Sequence, residues 1–273
     1  MKIDVGARTD VGRVRDNNED AFQIEQQLGL YVISDGMGGE AHGELASHLA
    51  VETIIEHCKT SLDDPAATSY GDPRPELSAQ TNRLAGAVFL ANKRIYDAGE
   101  RNLEQRGMGA TVVAAWMEGQ RLSIAHVGDS RAYLFRAGAL EQLTADHSLV
   151  AEQVRQGLIT PQQAESSELQ NVLTRALGPH EEIGIDADEH QLMPGDTILM
   201  CTDGISRMVT DEEIGSTLMT STSSQEAADR LIELANENGG LDNSTAIVIR
   251  LIPEADGLFD KFKRWRHGDE KAS

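Results

Sequence analysis

Hydrophobic positions near the N-terminus change from an alternating to a helical period. Alternation over residues 3–7 and an apolar run over 28–34 predict two strands. Apolar residues then recur at helical spacing over 43–61 and again over 77–95, which predicts two helices. The intervening segment 62–75 holds three prolines and short polar residues, so it is predicted to be a surface loop.

The period changes again after residue 109. Short strand-like runs separated by glycine-containing turns over 110–143 predict an antiparallel meander, and the polar stretch 147–178 is typical of a surface insertion. The remaining predicted elements are strands over 183–192, 197–202 and 244–252 and helices over 212–219 and 225–237. Strict strand–helix–strand alternation is missing, which favours antiparallel sheets with helices packed outside.

Composition narrows the class of protein. The formal net charge of −21 argues against a nucleic-acid partner, because acidic surfaces repel the phosphate backbone. Hydrophobic residues make up 40% of the chain, enough for a core, yet no apolar run is long enough to cross a bilayer and no secretory signal core is visible. The two cysteines, Cys58 and Cys201, cannot form a disulfide framework, so a cytoplasmic location is expected.

Four aspartates lie at the ends of apolar runs, next to glycine or in a turn. They are Asp35, Asp129, Asp203 and Asp242. Any single one is explained by turn chemistry, but four such positions together predict carboxylates that converge at the ends of strands. Converging carboxylates repel one another and need a cation. Oxygen ligands without a His–Cys set favour Mg²⁺ or Mn²⁺ over Zn²⁺.

A charged segment near the N-terminus adds three candidates. The fork of donors on Arg15 suits a phosphoryl group. Glu19 and Asp20 open a strand predicted to lie beside the Asp35 strand, where they would hydrogen-bond metal-bound waters. The alternative is a solvated charged turn.

Seven ordered motifs carry a resemblance. They are Arg15-x-x-x-Glu19-Asp20, Asp35-Gly-Met-Gly-Gly39, Met108-Gly-Ala-Thr111, Val127-Gly-Asp-Ser-Arg131, Thr144-Ala-Asp-His-Ser148, Thr202-Asp-Gly204 and Asp242-Asn-Ser-Thr245. The chain resembles the metal-dependent protein serine/threonine phosphatases of the 2C type (PPM), in particular short bacterial members. The resemblance implies an α+β fold, a four-layer α-β-β-α sandwich of two antiparallel sheets with helices on both outer faces. It also implies a catalytic domain over 1–252 with a flap at 148–180, followed by a basic and aromatic tail over 253–273.

The resemblance also implies roles for individual residues. Asp35 would bridge two Mn²⁺ or Mg²⁺ ions, and the Gly36 carbonyl would join one of them. Asp203 and Asp242 would bind the other ion, while Asp129 with Asp203 would form a weaker third site. Arg15 would bind phosphate. Met37 follows the first Asp-Gly pair where eukaryotic relatives often place a histidine shortly afterwards, so the general acid is unassigned.

The implied activity is hydrolysis of phosphoserine and phosphothreonine in proteins by a metal-bridging hydroxide. The expected partners are phosphorylated proteins, namely serine/threonine kinases or their targets, and the expected state is a monomer. One alternative is a catalytically silent metal-binding regulatory module. A second is cysteine chemistry, because Cys201 and Arg207 fit the spacing C-x5-R. A phosphoaspartate route lacks an Asp-x-Asp pair at a strand end. The tail combines Phe259, Phe262 and Trp265 with basic residues. A solvated terminus is the preferred interpretation, and contact with an anionic membrane or with the acidic domain is the alternative.

Overall fold

The computed structural model describes residues 2–38, 42–63, 71 and 73–253. The predicted tail lies outside this range, apart from Pro253. The strands are β1 (Lys2–Asp10), β2 (Asp20–Glu25), β3 (Leu30–Met37), β4 (Gly109–Ala110), β5 (Val112–Glu118), β6 (Arg121–Val127), β7 (Arg131–Arg136), β8 (Ala139–Gln142), β9 (Asp186–Gln191), β10 (Thr197–Cys201) and β11 (Ser244–Ile252). The α-helices are α1 (His42–Asp63), α2 (Ala79–Arg101), α3 (Leu149–Arg155), α4 (Pro161–Glu165), α5 (Asp203–Ser206), α6 (Asp211–Thr220) and α7 (Ser224–Glu237).

The described strands form two antiparallel sheets. One has the order β1-β11-β10-β7-β8, and the other has the order β2-β3-β5-β6-β9 with β4 paired to β3. Alternate residues of each sheet point into a shared apolar layer, where Ile33 and Val113 of one sheet pack in a cluster with Ile198 and Ile247 of the other. This layer fixes the two sheets face to face.

Helices cover both outer faces. Helices α1 and α2 bury residues such as Ile54 and Leu84 against the β3–β5 side, while α6 and α7 bury residues such as Ile214 and Leu231 against β10 and β11. The apolar stripe that predicted each long helix is the face that packs on a sheet. The expected α-β-β-α sandwich is confirmed. Among the helices described, none has the length and apolar character needed to cross a lipid bilayer.

The predicted single meander over 110–143 is wrong. Strands β5 and β6 pair in one sheet, but β7 pairs with β10 and β8 in the other. The chain crosses between sheets at residues 128–130, where Gly128 has φ +104° and a side chain would overlap Thr111, its Cβ falling 2.6 Å from the Thr111 Cβ. The crossing brings residue 129 to the junction between the sheets, which local hydrophobic patterning could not reveal.

Candidate metal centre

A polar cleft of about 470 Å³ opens at the end of the sandwich where both sheets meet. Eight residues were predicted for the metal and phosphate site, and all except Asp20 line this cleft: Arg15, Glu19, Asp35, Gly36, Asp129, Asp203 and Asp242. The structure therefore brings together residues that are up to 227 positions apart.

Asp35 is held at the end of β3 by the segment that connects β4 and β5. Its backbone N–H donates to Thr111 Oγ1 at 3.1 Å, and its carbonyl accepts from the Thr111 N–H at 2.8 Å. Thr111 Oγ1 also lies 2.7 Å from Ser130 Oγ, beside the sheet crossing. Thr111 belongs to a motif quoted above, but the sequence did not reveal that it fixes Asp35 through both backbone atoms.

Asp203 and Asp242 come from neighbouring strand ends in the other sheet. Asp203 opens α5 and is separated from β10 by Thr202 alone, while Asp242 is separated from β11 by Asn243 alone. A Cβ at Gly204 would lie only 1.9 Å from the Asn243 carbonyl oxygen, so only glycine permits these two segments to approach this closely.

Asn243 joins the β11 turn to the segment that carries Arg15. Its Oδ1 accepts from the Glu19 N–H at 2.7 Å, and its Nδ2 donates to the carbonyls of Val11 and Asn17 at 2.9 and 2.8 Å. The buried Asn243 side chain therefore links the turn before β11 to the segment between β1 and β2 through three hydrogen bonds. Its role was not predicted, although its neighbour Asp242 was.

Arg15 stands at the mouth of the cleft. Its Nη2 donates to Asp242 Oδ2 at 2.8 Å, and 53% of its side chain is exposed. Glu19 lies against the start of α1, where its Oε2 would be 2.5 Å from a Cβ at Gly43. Burial raises the pKa of Glu19, while the Arg15 charge opposes that rise.

Asp20 lies behind the cleft rather than on its surface. It is paired with Asp35 across β2 and β3 and is buried. Its Oδ2 accepts from the hydroxyls of Thr202 and Thr245 at 2.9 and 2.6 Å, which connects β2 to the strand ends that carry Asp203 and Asp242. The predicted pairing of this strand with the Asp35 strand is confirmed.

The carboxylates of the cleft are poorly compensated by the protein. Burial, followed by repulsion from Asp203, raises the pKa of Asp129 to about 7 and lifts the pKa of Asp35 well above its ordinary value. Burial also raises the pKa of Asp203, against the attraction of Arg207. A cluster of this kind is unfavourable unless protons or cations neutralise it.

The donor set fits divalent ions. Asp203 Oδ1 is buried and has no hydrogen-bond partner in the structure. The side chains of Asp35, Asp203 and Asp242 supply only oxygen ligands, the donors that Mn²⁺ and Mg²⁺ prefer. An ion among them would satisfy the unpartnered oxygen and offset the charge.

The cysteine alternative can be compared with the structure. Cys201 is fully buried in the core beneath α5–α7, and burial raises its pKa to about 12, so it is neither accessible nor a nucleophilic thiolate.

His126 and His147 form a stacked pair with ring centroids 4.8 Å apart. His126 contacts the Ala145 carbonyl and His147 Nδ1 accepts from the Gly128 N–H, so both support the loops below the cleft.

Comparisons with known proteins agree with the resemblance carried by the sequence motifs. Residues 12–241 match the family profile described as Protein phosphatase 2C. The chain is 36% identical to the serine/threonine phosphatase stp of Listeria welshimeri over 89% of this chain and 93% of that protein. The crystal structure of the Mycobacterium tuberculosis serine/threonine phosphatase PstP is 37% identical, with a TM-score of 0.80 over 92% of this chain and 99% of that one.

A structure of the PstP catalytic domain in complex with two manganese ions matches with 37% identity and a TM-score of 0.77, over 92% of this chain and 99% of that one. These relatives share sequence identity as well as fold, and they do so over most of their length. The family profile also matches most of the sequence. This chain belongs to the protein phosphatase 2C family of metal-dependent phosphatases.

Proposed function

We propose that this protein removes phosphate from phosphoserine and phosphothreonine in other proteins, using two Mn²⁺ or Mg²⁺ ions. The observation that carries the proposal is the convergence of Asp35, Asp203 and Asp242 in one cleft, with a buried Asp203 oxygen that lacks a partner. Asp35 is proposed to bridge both ions and the Gly36 carbonyl to join one. Asp203 and Asp242 are proposed to bind the other.

The bound ions would supply a water molecule of lowered pKa and neutralise charge on the phosphoryl oxygens. Arg15 is proposed to orient the substrate, because its exposed guanidinium stands at the cleft mouth and can present further donors to a phosphoryl oxygen while Nη2 holds Asp242. Asp20 is proposed to support the metal ligands from behind the cleft, since its hydrogen bonds from Thr202 and Thr245 hold in place the strand ends next to Asp203 and Asp242.

No side chain of the cleft is proposed as a nucleophile. Cys201 is buried, and none of the described residues that line the cleft is a histidine. We propose that the attacking group is water and that the departing serine or threonine oxygen takes its proton from solvent. This assignment is consistent with Met37, rather than histidine, following the first Asp-Gly pair.

The wider biological role belongs to the same proposal. We propose a cytoplasmic monomer, with a catalytic domain over 1–252 and the flap over 148–180, that opposes a serine/threonine kinase. The two free, buried cysteines support a reducing compartment. The membrane contact suggested for the tail concerns residues outside the described range.

The test is release of phosphate from phosphoserine and phosphothreonine peptides, with Mn²⁺ titrated against a chelator. We expect Mn²⁺-dependent turnover that Asp35→Asn or Asp203→Asn abolishes while the circular dichroism spectrum is unchanged. Asp229→Asn is the matched control, since Asp229 lies on α7 and pairs with Arg8 at 3.6 Å. A folded protein that binds Mn²⁺ but releases no phosphate would favour the catalytically silent module.

A further inference from the structure

Arg207 places a positive charge inside the acidic cleft. Its Nη2 lies 2.8 Å from Asp129 Oδ2 and 2.9 Å from Asp203 Oδ2. All three side chains are largely buried, with 23% of Arg207, 8% of Asp129 and 11% of Asp203 exposed. A single guanidinium nitrogen therefore joins the two carboxylates that would form the third ion site of bacterial 2C phosphatases.

The local backbone explains this placement. Helix α5 begins at Asp203 and lasts a single turn, so the residue four positions later returns to the same side. The Arg207 N–H donates to the Asp203 carbonyl at 2.9 Å, which fixes the base of the side chain. Asp129 lies in the segment 128–130, where the chain crosses between the sheets, and its carboxylate contacts the Arg207 guanidinium from there.

Arg207 also contacts the flap. Its Nη1 hydrogen-bonds Asn171 Oδ1, and its Nη2 is 3.5 Å from the Gln170 carbonyl. The guanidinium is therefore held both by the two carboxylates and by residues of the flap. Burial works against the charged form, but the pKa of Arg207 is still raised because Asp203 and Asp129 are so near.

Arg207 occupies the position that an ion between Asp129 and Asp203 would need. A divalent ion there would be repelled by the guanidinium and would compete with it for the Oδ2 atoms of both carboxylates.

We propose that Arg207 is a resident cation that takes the place of a third metal ion, so that Asp129 and Asp203 hold a guanidinium and the enzyme works with two ions. The proposal rests on the two-ion centre of the proposed function and differs from the third site that the resemblance implied. Arg207 is a positioning residue, which orients Asp203 and ties the flap to the metal centre.

The experiment counts and locates Mn²⁺ in the full chain, without relying on turnover. Calorimetric titration gives the number of ions bound, and anomalous scattering from Mn²⁺-soaked crystals shows where they lie. We expect two ions in the wild type. We expect a further ion between Asp129 and Asp203 in Arg207→Gln, bound at least about tenfold more tightly than in the wild type, because the competing charge is gone.

Three further variants separate charge from shape. Arg207→Lys keeps a cation and should still exclude the further ion. Arg207→Gln combined with Asp129→Asn should lose the ion that Arg207→Gln gains. Arg155→Gln is the matched control, since Arg155 lies on α3 and donates to the Asp146 carbonyl without contacting the cleft carboxylates.

Two results would overturn the proposal. One is a wild-type crystal with Mn²⁺ between Asp129 and Asp203 and Arg207 displaced. The other is Arg207→Gln with the same ion count as the wild type while melting normally. A wild type that binds no Mn²⁺ at all would instead refute the two-ion centre itself, and this inference with it.

Discussion

Replacing Asp20 with asparagine should change how the stability of the metal-free protein depends on pH. Burial is the main cause that raises the pKa of Asp20 to about 7, from an ordinary value of 3.8, against the hydroxyl bonds from Thr245 and Thr202. Between these two pH values the folded state holds a proton that the unfolded state releases. The free energy of unfolding of the wild type therefore falls as pH rises through this range.

The size of the effect follows from that shift. For a folded pKa near 7, linkage gives a loss of roughly 2–3 kcal/mol in the free energy of unfolding between pH 5 and pH 8. Asp20→Asn has no proton to release, so this part of the loss should disappear. The amide oxygen can still accept from Thr202 and Thr245, but the amide nitrogen replaces the unpartnered Oδ1 and costs about 1–3 kcal/mol at either pH.

The assay is urea unfolding followed by far-UV circular dichroism, with EDTA present, at pH 5 and pH 8. At each pH, the unfolding free energy of the wild type is subtracted from that of the variant. The two differences are then compared, because the cost of the amide is the same at both pH values and cancels. Asp186→Asn is the control. Burial acts to raise the pKa of Asp186, but hydrogen bonds from Arg175 and His147 lower it to about 2, so it is ionised at both pH values. An equal difference at pH 5 and pH 8 for Asp20→Asn would refute the reasoning.

The other predictions concern activity and metal binding. Arg15→Ala should lower kcat/KM for a phosphopeptide roughly hundredfold, because a donor to the developing phosphoryl charge is lost; an unchanged kcat/KM would contradict its proposed role. Gly204→Ala should reduce Mn²⁺ affinity, measured by calorimetry, since its Cβ would force Asn243 away; wild-type affinity would show that the two segments can separate at no cost. A thiol alkylator should leave turnover intact while a chelator abolishes it, because Cys201 is buried; inhibition by the alkylator alone would restore the cysteine mechanism.

The long helices and β11 could be predicted because a single period runs through each of them. The helix predicted over 225–237 is Ser224–Glu237, and the strand predicted over 244–252 is Ser244–Ile252. The acidic residues of the cleft could be named because each follows or precedes an apolar run. What joins them is a matter of sheet pairing, which local patterning does not contain.

Arg207 shows where the sequence was misleading. The spacing from Cys201 raised, as an alternative, an arginine that serves a thiolate, yet the thiol lies in the core and the guanidinium contacts Asp203 and Asp129. The contact with Asp203 is an ordinary helical spacing of four residues, but helix α5 was not predicted. The contact with Asp129 depends on the chain changing sheets after β6, and the only local signal of that change is a glycine turn.

The junction between the sheets has a mechanical consequence. Asp35 belongs to one sheet, whereas Asp203 and Asp242 flank strands of the other, so ions bound by all three would cross-link the two halves of the sandwich. Ion release would remove that cross-link and leave the hydrogen bonds of Asp20 and Asn243, together with the apolar layer, to hold the two sheets together. Occupancy of the centre and rigidity of the scaffold would rise and fall together.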